Sequence, residues 1–316
     1  MVLAVVLLLV GFVLLVKGAD IFVDGSSGIA RKLKIPSIVI GLTIVAMGTS
    51  APEAAVSIIA GVKGSNDIAV GNVIGSNMFN LLGVLGIAAL IKPVRVDGEI
   101  VKKQFPFMLV ATAVFALSAF DVFLGSGESN DISRNEAFIM IILLGIFLYS
   151  IITFALNNRQ PEPEGAKPVS LPKSIIFTVL GLVGIVIGGE LVVNNAKTIA
   201  IGLGMSETLA GLTIVAVGTS LPELVTSIVA ARKGESDIAV GNVVGSNVFN
   251  IFFVLAASAA ITPMNINTQG LTDLLILMGV SILGYIFCCT KKTVNRVEGG
   301  ILVALYGWYM AYAIIR

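Results

Sequence analysis

Apolar runs of about 20 residues, the length that crosses a bilayer core, recur along the chain, separated by short polar intervals. They predict ten membrane helices, at about 2–30, 36–62, 69–91, 104–123, 136–156, 174–200, 207–231, 239–261, 271–289 and 297–315. The first run, Val2 to Val16, has no basic start and no small-residue cleavage pattern, so it is read as a span rather than a removable signal. The longest polar interval, "NNRQPEPEGAKPVSLPK" (157–173), is proline-rich and is expected to link residues 1–156 to residues 174–316, five helices on each side.

Polar residues interrupt this pattern twice, in the same way. "GLTIVAMGTSAPEAAVSIIAG" (41–61) and "GLTIVAVGTSLPELVTSIVAA" (211–231) each place Gly-Thr-Ser-x-Pro-Glu inside an apolar span. At a constant offset of 170, residues 41–93 match residues 211–263 at 33 of 53 positions without a gap. Upstream, Gly18 aligns with Gly188 and Asp20 with Glu190. Five helices is an odd number, so the second half is expected to enter the membrane upside down. Inverted repeats with interrupted helices build many secondary transporters, with the site near the midplane where the repeats meet. The expected fold is an all-α polytopic membrane protein: ten transmembrane helices as two inverted five-helix repeats, with helices 2, 3, 7 and 8 broken.

Composition agrees. Only 12% of the residues are charged and mean hydropathy is +1.00, whereas a soluble domain carries about 25% charge. Fifteen of the twenty Lys and Arg residues fall on one side of the predicted spans and four on the other. By the positive-inside rule both termini lie outside and the linker is cytoplasmic, in a multi-pass cell membrane protein. The absence of histidine excludes imidazole bases, zinc sites and histidine proton relays. Adjacent Cys288 and Cys289 make no metal-ligand spacing, and no basic tract suggests nucleic acid.

The interruptions carry the chemistry. Gly48 and Pro52 weaken the helix around Thr49 and Ser50, which is expected to free carbonyls from about Ala46; Gly218, Pro222 and Ala216 repeat the arrangement. In "GNVIGSNMFN" (71–80) and "GNVVGSNVFN" (241–250), helical spacing puts Ser76 with Asn80, and Ser246 with Asn250, on one face. The candidate ligands are then Glu53 and Glu223, the hydroxyls of Thr49, Ser50, Ser76, Thr219, Ser220 and Ser246, the amides of Asn80 and Asn250, and the carbonyls of Ala46 and Ala216.

All of these are oxygens, which suits Ca²⁺ or Na⁺; Mg²⁺ demands a tight octahedron, and soft metals call for sulfur or imidazole. Two ionised glutamates supply −2, which one Ca²⁺ or two protons neutralise and three Na⁺ overcompensate to +1. The residues themselves leave Na⁺ and H⁺ open as counter-ions. Asn72, Asn242, Asn77 and Asn247 are expected to brace the helices. Lys17, Asp20 and Asp24 are expected to pair with one another or to line a water-facing path. Two inverted motifs make a poor selectivity ring for a channel. Ser and Glu without His or Lys partners make a poor enzyme, and no cofactor is called for.

"GTSAPE" with "GSNMFN", and "GTSLPE" with "GSNVFN", resemble the paired alpha-repeat motifs of the cation/calcium exchanger superfamily, specifically its sodium/calcium exchanger branch. The resemblance implies alternating-access exchange of Ca²⁺ for Na⁺, electrogenic in the direction of Ca²⁺ export, with proton/calcium antiport as the alternative. It implies that Glu53 and Glu223 are shared ligands, completed by the hydroxyls named above and by the Ala46 and Ala216 carbonyls. Potassium-dependent members typically carry Asp at the position of Asn250. Proton-coupled members have a different motif and often histidine, so the resemblance favours Na⁺. The short linker implies a minimal, prokaryote-like core without the large regulatory domain of animal exchangers.

Overall fold

The computed structural model describes residues 2–125, 129–159, 170–205 and 216–315. The middle of the predicted linker (160–169) and the start of the seventh predicted helix (207–215) lie outside the described residues, as do Glu128, Lys167 and Arg316. The apolar runs fold as helices: α1 (Val2–Leu33), α2 (Ser37–Thr49), α3 (Ala51–Val62), α4 (Asn66–Ile91), α5 (Ile100–Ala119), α6 (Arg134–Asn157), α7 (Leu171–Gly202), α8 (Leu221–Lys233, preceded by the turn Ala216–Gly218), α9 (Ser236–Ile261), α10 (Thr268–Cys289) and α11 (Arg296–Ile315). Eight of these are each long and apolar enough to cross a membrane, and the bent pair α2–α3 makes a ninth span.

Burial separates centre from periphery. In α4 and α9, 78% of the most apolar window is buried, against 17–44% in the other six long helices. These two helices form the middle of the bundle, and both carry the Gly-Ser-Asn motifs.

α1 and α7 pack against each other through glycines spaced seven residues apart, two helical turns. Gly11 meets Gly188, Gly18 meets Gly181, and Gly25 meets Ser174 and Thr178, an antiparallel register. A Cβ on Gly181 would stand 2.5 Å from the Phe22 amide nitrogen, and one on Gly25 2.5 Å from that of Thr178. Only glycine allows backbones this close.

Two short ribbons tie the halves together. β1 (Val94–Arg95) pairs with β4 (Thr293–Val294), and β2 (Asp131–Ile132) pairs with β3 (Met264–Asn265), both antiparallel. The 20 residues of α5, about 30 Å of helix, separate β1 from β2, so the ribbons lie at opposite ends of the bundle. Each joins the strand after the central helix of one half to the strand before the last helix of the other. The halves also end their motif helices alike, with left-handed turns at Gly64 (φ +71) and Gly234 (φ +86).

One expectation is corrected. The third and eighth predicted helices are not broken: α4 and α9 run through, and each widens into π-helix at its motif asparagine, over Asn80–Val84 and Asn250–Leu255. One extra residue per turn accommodates the inward-facing amide without interrupting the backbone ladder. The second helix does break, bending by 48° between α2 and α3.

Candidate functional site

The bend sits at Ser50, whose φ/ψ of −83°/7° leave the helical region; Ser220 matches it at −93°/9°. Pro52 and Pro222 therefore lie not in a helix interior but in the first turn of α3 and α8, where a missing N–H costs nothing. Glu53 and Glu223 follow immediately, each in the first turn of its helix, where unpaired amides and the helix dipole favour negative charge.

Both glutamates are fully buried, and each is held by the other half. Ser220 Oγ donates to Glu53 Oε1 at 2.7 Å, and Ser50 Oγ donates to Glu223 Oε1 at 2.8 Å. Ser76 Oγ lies 3.2 Å from Ser220 Oγ and 3.5 Å from Glu53 Oε1. On the other side Thr49 Oγ1 lies 3.0 Å from Asn242 Oδ1, and Ser246 Oγ lies 3.4 Å from both Asn242 Oδ1 and the Ala46 carbonyl.

The asparagines form a second reciprocal set. Asn80 donates to Asn247 Oδ1 at 3.0 Å and Asn250 to Asn77 Oδ1 at 3.1 Å. Asn77 and Asn247 in turn donate to each other's backbone carbonyls. With their NH₂ groups engaged in this way, Asn80 and Asn250 are left presenting carbonyl oxygens. Asn72 and Asn242 reach back to the Glu53 and Glu223 carbonyls and to Ser57 and Ser227, fixing α3 on α4 and α8 on α9.

Five oxygens of this constellation are buried with no protein partner: Glu53 Oε2, Glu223 Oε2, Asn80 Oδ1, Asn250 Oδ1 and Thr219 Oγ1. A buried acceptor without a donor costs about 1–3 kcal/mol, more when charged. A hard cation meets that deficit, and every available group is the oxygen such a cation takes.

Apart from Ala46 and Ala216, the candidates fall into these two sets, the glutamates with the Ser and Thr residues and Asn80 and Asn250 with Asn77 and Asn247. Ala46 gathers with them, but its carbonyl is not freed: it accepts the Ser50 amide at 3.1 Å, because the ladder persists up to the bend. Ala216 opens the turn Ala216–Gly218 and is placed only as helix backbone. Ser57 and Ser227 were missed by the sequence reading. Their signal was present, since both stand four residues after the motif glutamate and match across the repeat. Lys17 does not pair with Asp20 or Asp24; Lys233 does.

A family model described as sodium/calcium exchanger protein matches residues 3–153 and 173–315. The chain is 38% identical to the putative antiporter CaxA of Alkalimonas amylolytica, over 98% of each protein. It is 33% identical to the sodium/calcium exchanger MaX1 of Methanosarcina acetivorans, over 95% of each. A solved structure of the sodium-calcium exchanger NCX_Mj, soaked with Na⁺ and Ca²⁺, superposes with a TM-score of 0.85 at 33% identity, covering 100% of this chain and 99% of that one.

Proposed function

The chain belongs to the sodium/calcium exchanger family, and on that premise we propose that it exports Ca²⁺ in exchange for Na⁺ by alternating access through ten helices built as two inverted repeats. The reciprocal ribbons and the crossed serine–glutamate bonds support the inverted plan. The observation that carries the reading is the set of buried carboxylate and amide oxygens without protein donors.

In this reading Ca²⁺ binds Oε2 of Glu53 and Glu223 with the hydroxyls and amides around them, and its charge balances the pair. Na⁺ ions displace it by taking overlapping oxygens. The ion-free site holds two uncompensated carboxylates, and crossing in that state is costly. That cost couples the two ions and prevents leak. Three Na⁺ per Ca²⁺ would move one net charge per cycle, worth about 2.3 kcal/mol per 100 mV.

The test is Ca²⁺ uptake into proteoliposomes loaded with Na⁺ and diluted into Na⁺-free medium, beside a matched proton gradient. Uptake driven by the Na⁺ gradient alone is expected. Uptake driven by protons and indifferent to Na⁺ overturns the counter-ion and leaves the glutamates as proton carriers.

A further inference from the structure

Lys233, the last residue of α8, reaches α1. Its Nζ lies 2.6 Å from Asp24 Oδ1, 2.8 Å from Asp20 Oδ1 and 2.9 Å from the Asp20 carbonyl. The ion chemistry above makes no use of this triad. It joins the helix that carries Glu223 to the glycine-packed pair α1–α7.

The repeat offset gives the triad a twin. Lys233 aligns with Lys63, Asp20 with Glu190, and Asp24 with Asn194. The twin is not engaged. Lys63 and Glu190 are both exposed, and no ion pair joins them among the described residues.

The packing around them shows the same asymmetry. α1 lies along α8, whereas their counterparts α7 and α3 barely touch. Asn72 is partly exposed where Asn242 is buried. Among the described residues α1 covers α8, and α7 leaves α3 uncovered.

We infer that Lys233 with Asp20 and Asp24 is a latch that holds the linker-side entrance shut, and that Lys63 with Glu190 is its twin, closing the opposite entrance in the alternate state. The inference rests on the alternating-access reading above. α1 and α7 are locked backbone to backbone and move as one body. That body lies against α8 or against α3, so the two latches exclude each other. They are also unequal: Lys233 has two carboxylates, whereas Lys63 meets one carboxylate and an amide. The state with Lys233 engaged is therefore favoured when no ion is bound.

The test is disulfide trapping in the full chain, reconstituted in lipid, with Cys288→Ser and Cys289→Ser as background. The pair Lys63→Cys with Glu190→Cys reports the alternate state, and Asp24→Cys with Lys233→Cys reports this one. Both pairs should cross-link through a bis-methanethiosulfonate reagent long enough to replace the lysine side chain, and arrest exchange until reduced. Adding Lys233→Met should speed the Lys63/Glu190 cross-link by about threefold, the scale of an exposed ion pair. Asp24→Asn is the milder variant, with a smaller shift in the same direction. A Lys63/Glu190 cross-link that never forms, or whose rate ignores both substitutions, overturns the latch. Ca²⁺ uptake by the cysteine-free background is measured separately. Its failure would sink the antiport reading, while the cross-linking rates would still report the latch.

Discussion

Ser50 of the first half donates a hydrogen bond to Glu223 of the second at 2.8 Å, and the repeat returns it, Ser220 to Glu53 at 2.7 Å. Each half thus completes the carboxylate of the other. A hydrogen bond to a charged group contributes about 1.5–3 kcal/mol. Ser50→Ala and Ser220→Ala should therefore each weaken Ca²⁺ binding by about 10- to 100-fold, and by similar factors. Calorimetric titration of the two variants checks this; a large loss in only one would mean the halves are not equivalent at the site.

Glutamine keeps the shape of glutamate and an oxygen to accept the serine hydroxyl, but it removes the charge. Glu53→Gln and Glu223→Gln should each leave a folded, monodisperse protein that does not transport Ca²⁺. Leaving half of a buried charge balance costs about 3–5 kcal/mol, enough to reduce affinity by more than about 100-fold. Normal transport by either variant would remove that glutamate from the site.

Much of this site was legible because duplication printed it twice. A polar residue in an apolar span is ambiguous once, but Glu53, Ser50, Ser76 and Asn80 recur at the same offset as Glu223, Ser220, Ser246 and Asn250. What could not be read was how the backbone accommodates them. Gly48 with Pro52 signals a weak helix in one motif and Gly71 with Gly75 in the other, yet the chain bends at Ser50 and only widens at Asn80, where the amide has a partner across the interface. The partner of Asp20 was equally hidden. Sequence spacing offers Lys17 one turn away on the same helix, while the lysine that binds it lies 213 residues further on. That α1 packs on α8 while α7 leaves α3 uncovered is invisible in two matched halves, because it belongs to a conformation.

Asn250 donates to Asn77 and offers its own Oδ1 to the site. Asn250→Asp would raise the site charge from −2 to −3 and lose that donor. One Ca²⁺ then no longer neutralises the site, so exchange should come to require an additional monovalent cation. Ca²⁺ uptake by the variant, with and without K⁺ in the medium, reads this out. Uptake equal to that of the unsubstituted chain in both media would mean that Asn250 lies outside the ion field.

The α1–α7 contact leaves no space for a side chain. Gly181→Ala should destabilise the protein by about 1–3 kcal/mol from overpacking, more than the helix propensity gained. Gly145→Ala is the control: a Cβ there meets nothing within 4 Å, and better propensity should add up to about 1 kcal/mol. Thermal unfolding in detergent separates the two, with Gly181→Ala melting lower and Gly145→Ala melting at or above the parent.

In the proposed exchange Ca²⁺ and Na⁺ compete for the oxygens around Glu53 and Glu223. The direct measurement is equilibrium Ca²⁺ binding to the purified protein at increasing Na⁺, on the parent chain and on the Glu53→Gln, Glu223→Gln double variant. Na⁺ should displace Ca²⁺ cooperatively, with more than one Na⁺ per Ca²⁺, and the double variant should bind no Ca²⁺. Ca²⁺ binding that ignores Na⁺, or that survives loss of both carboxylates, would contradict it.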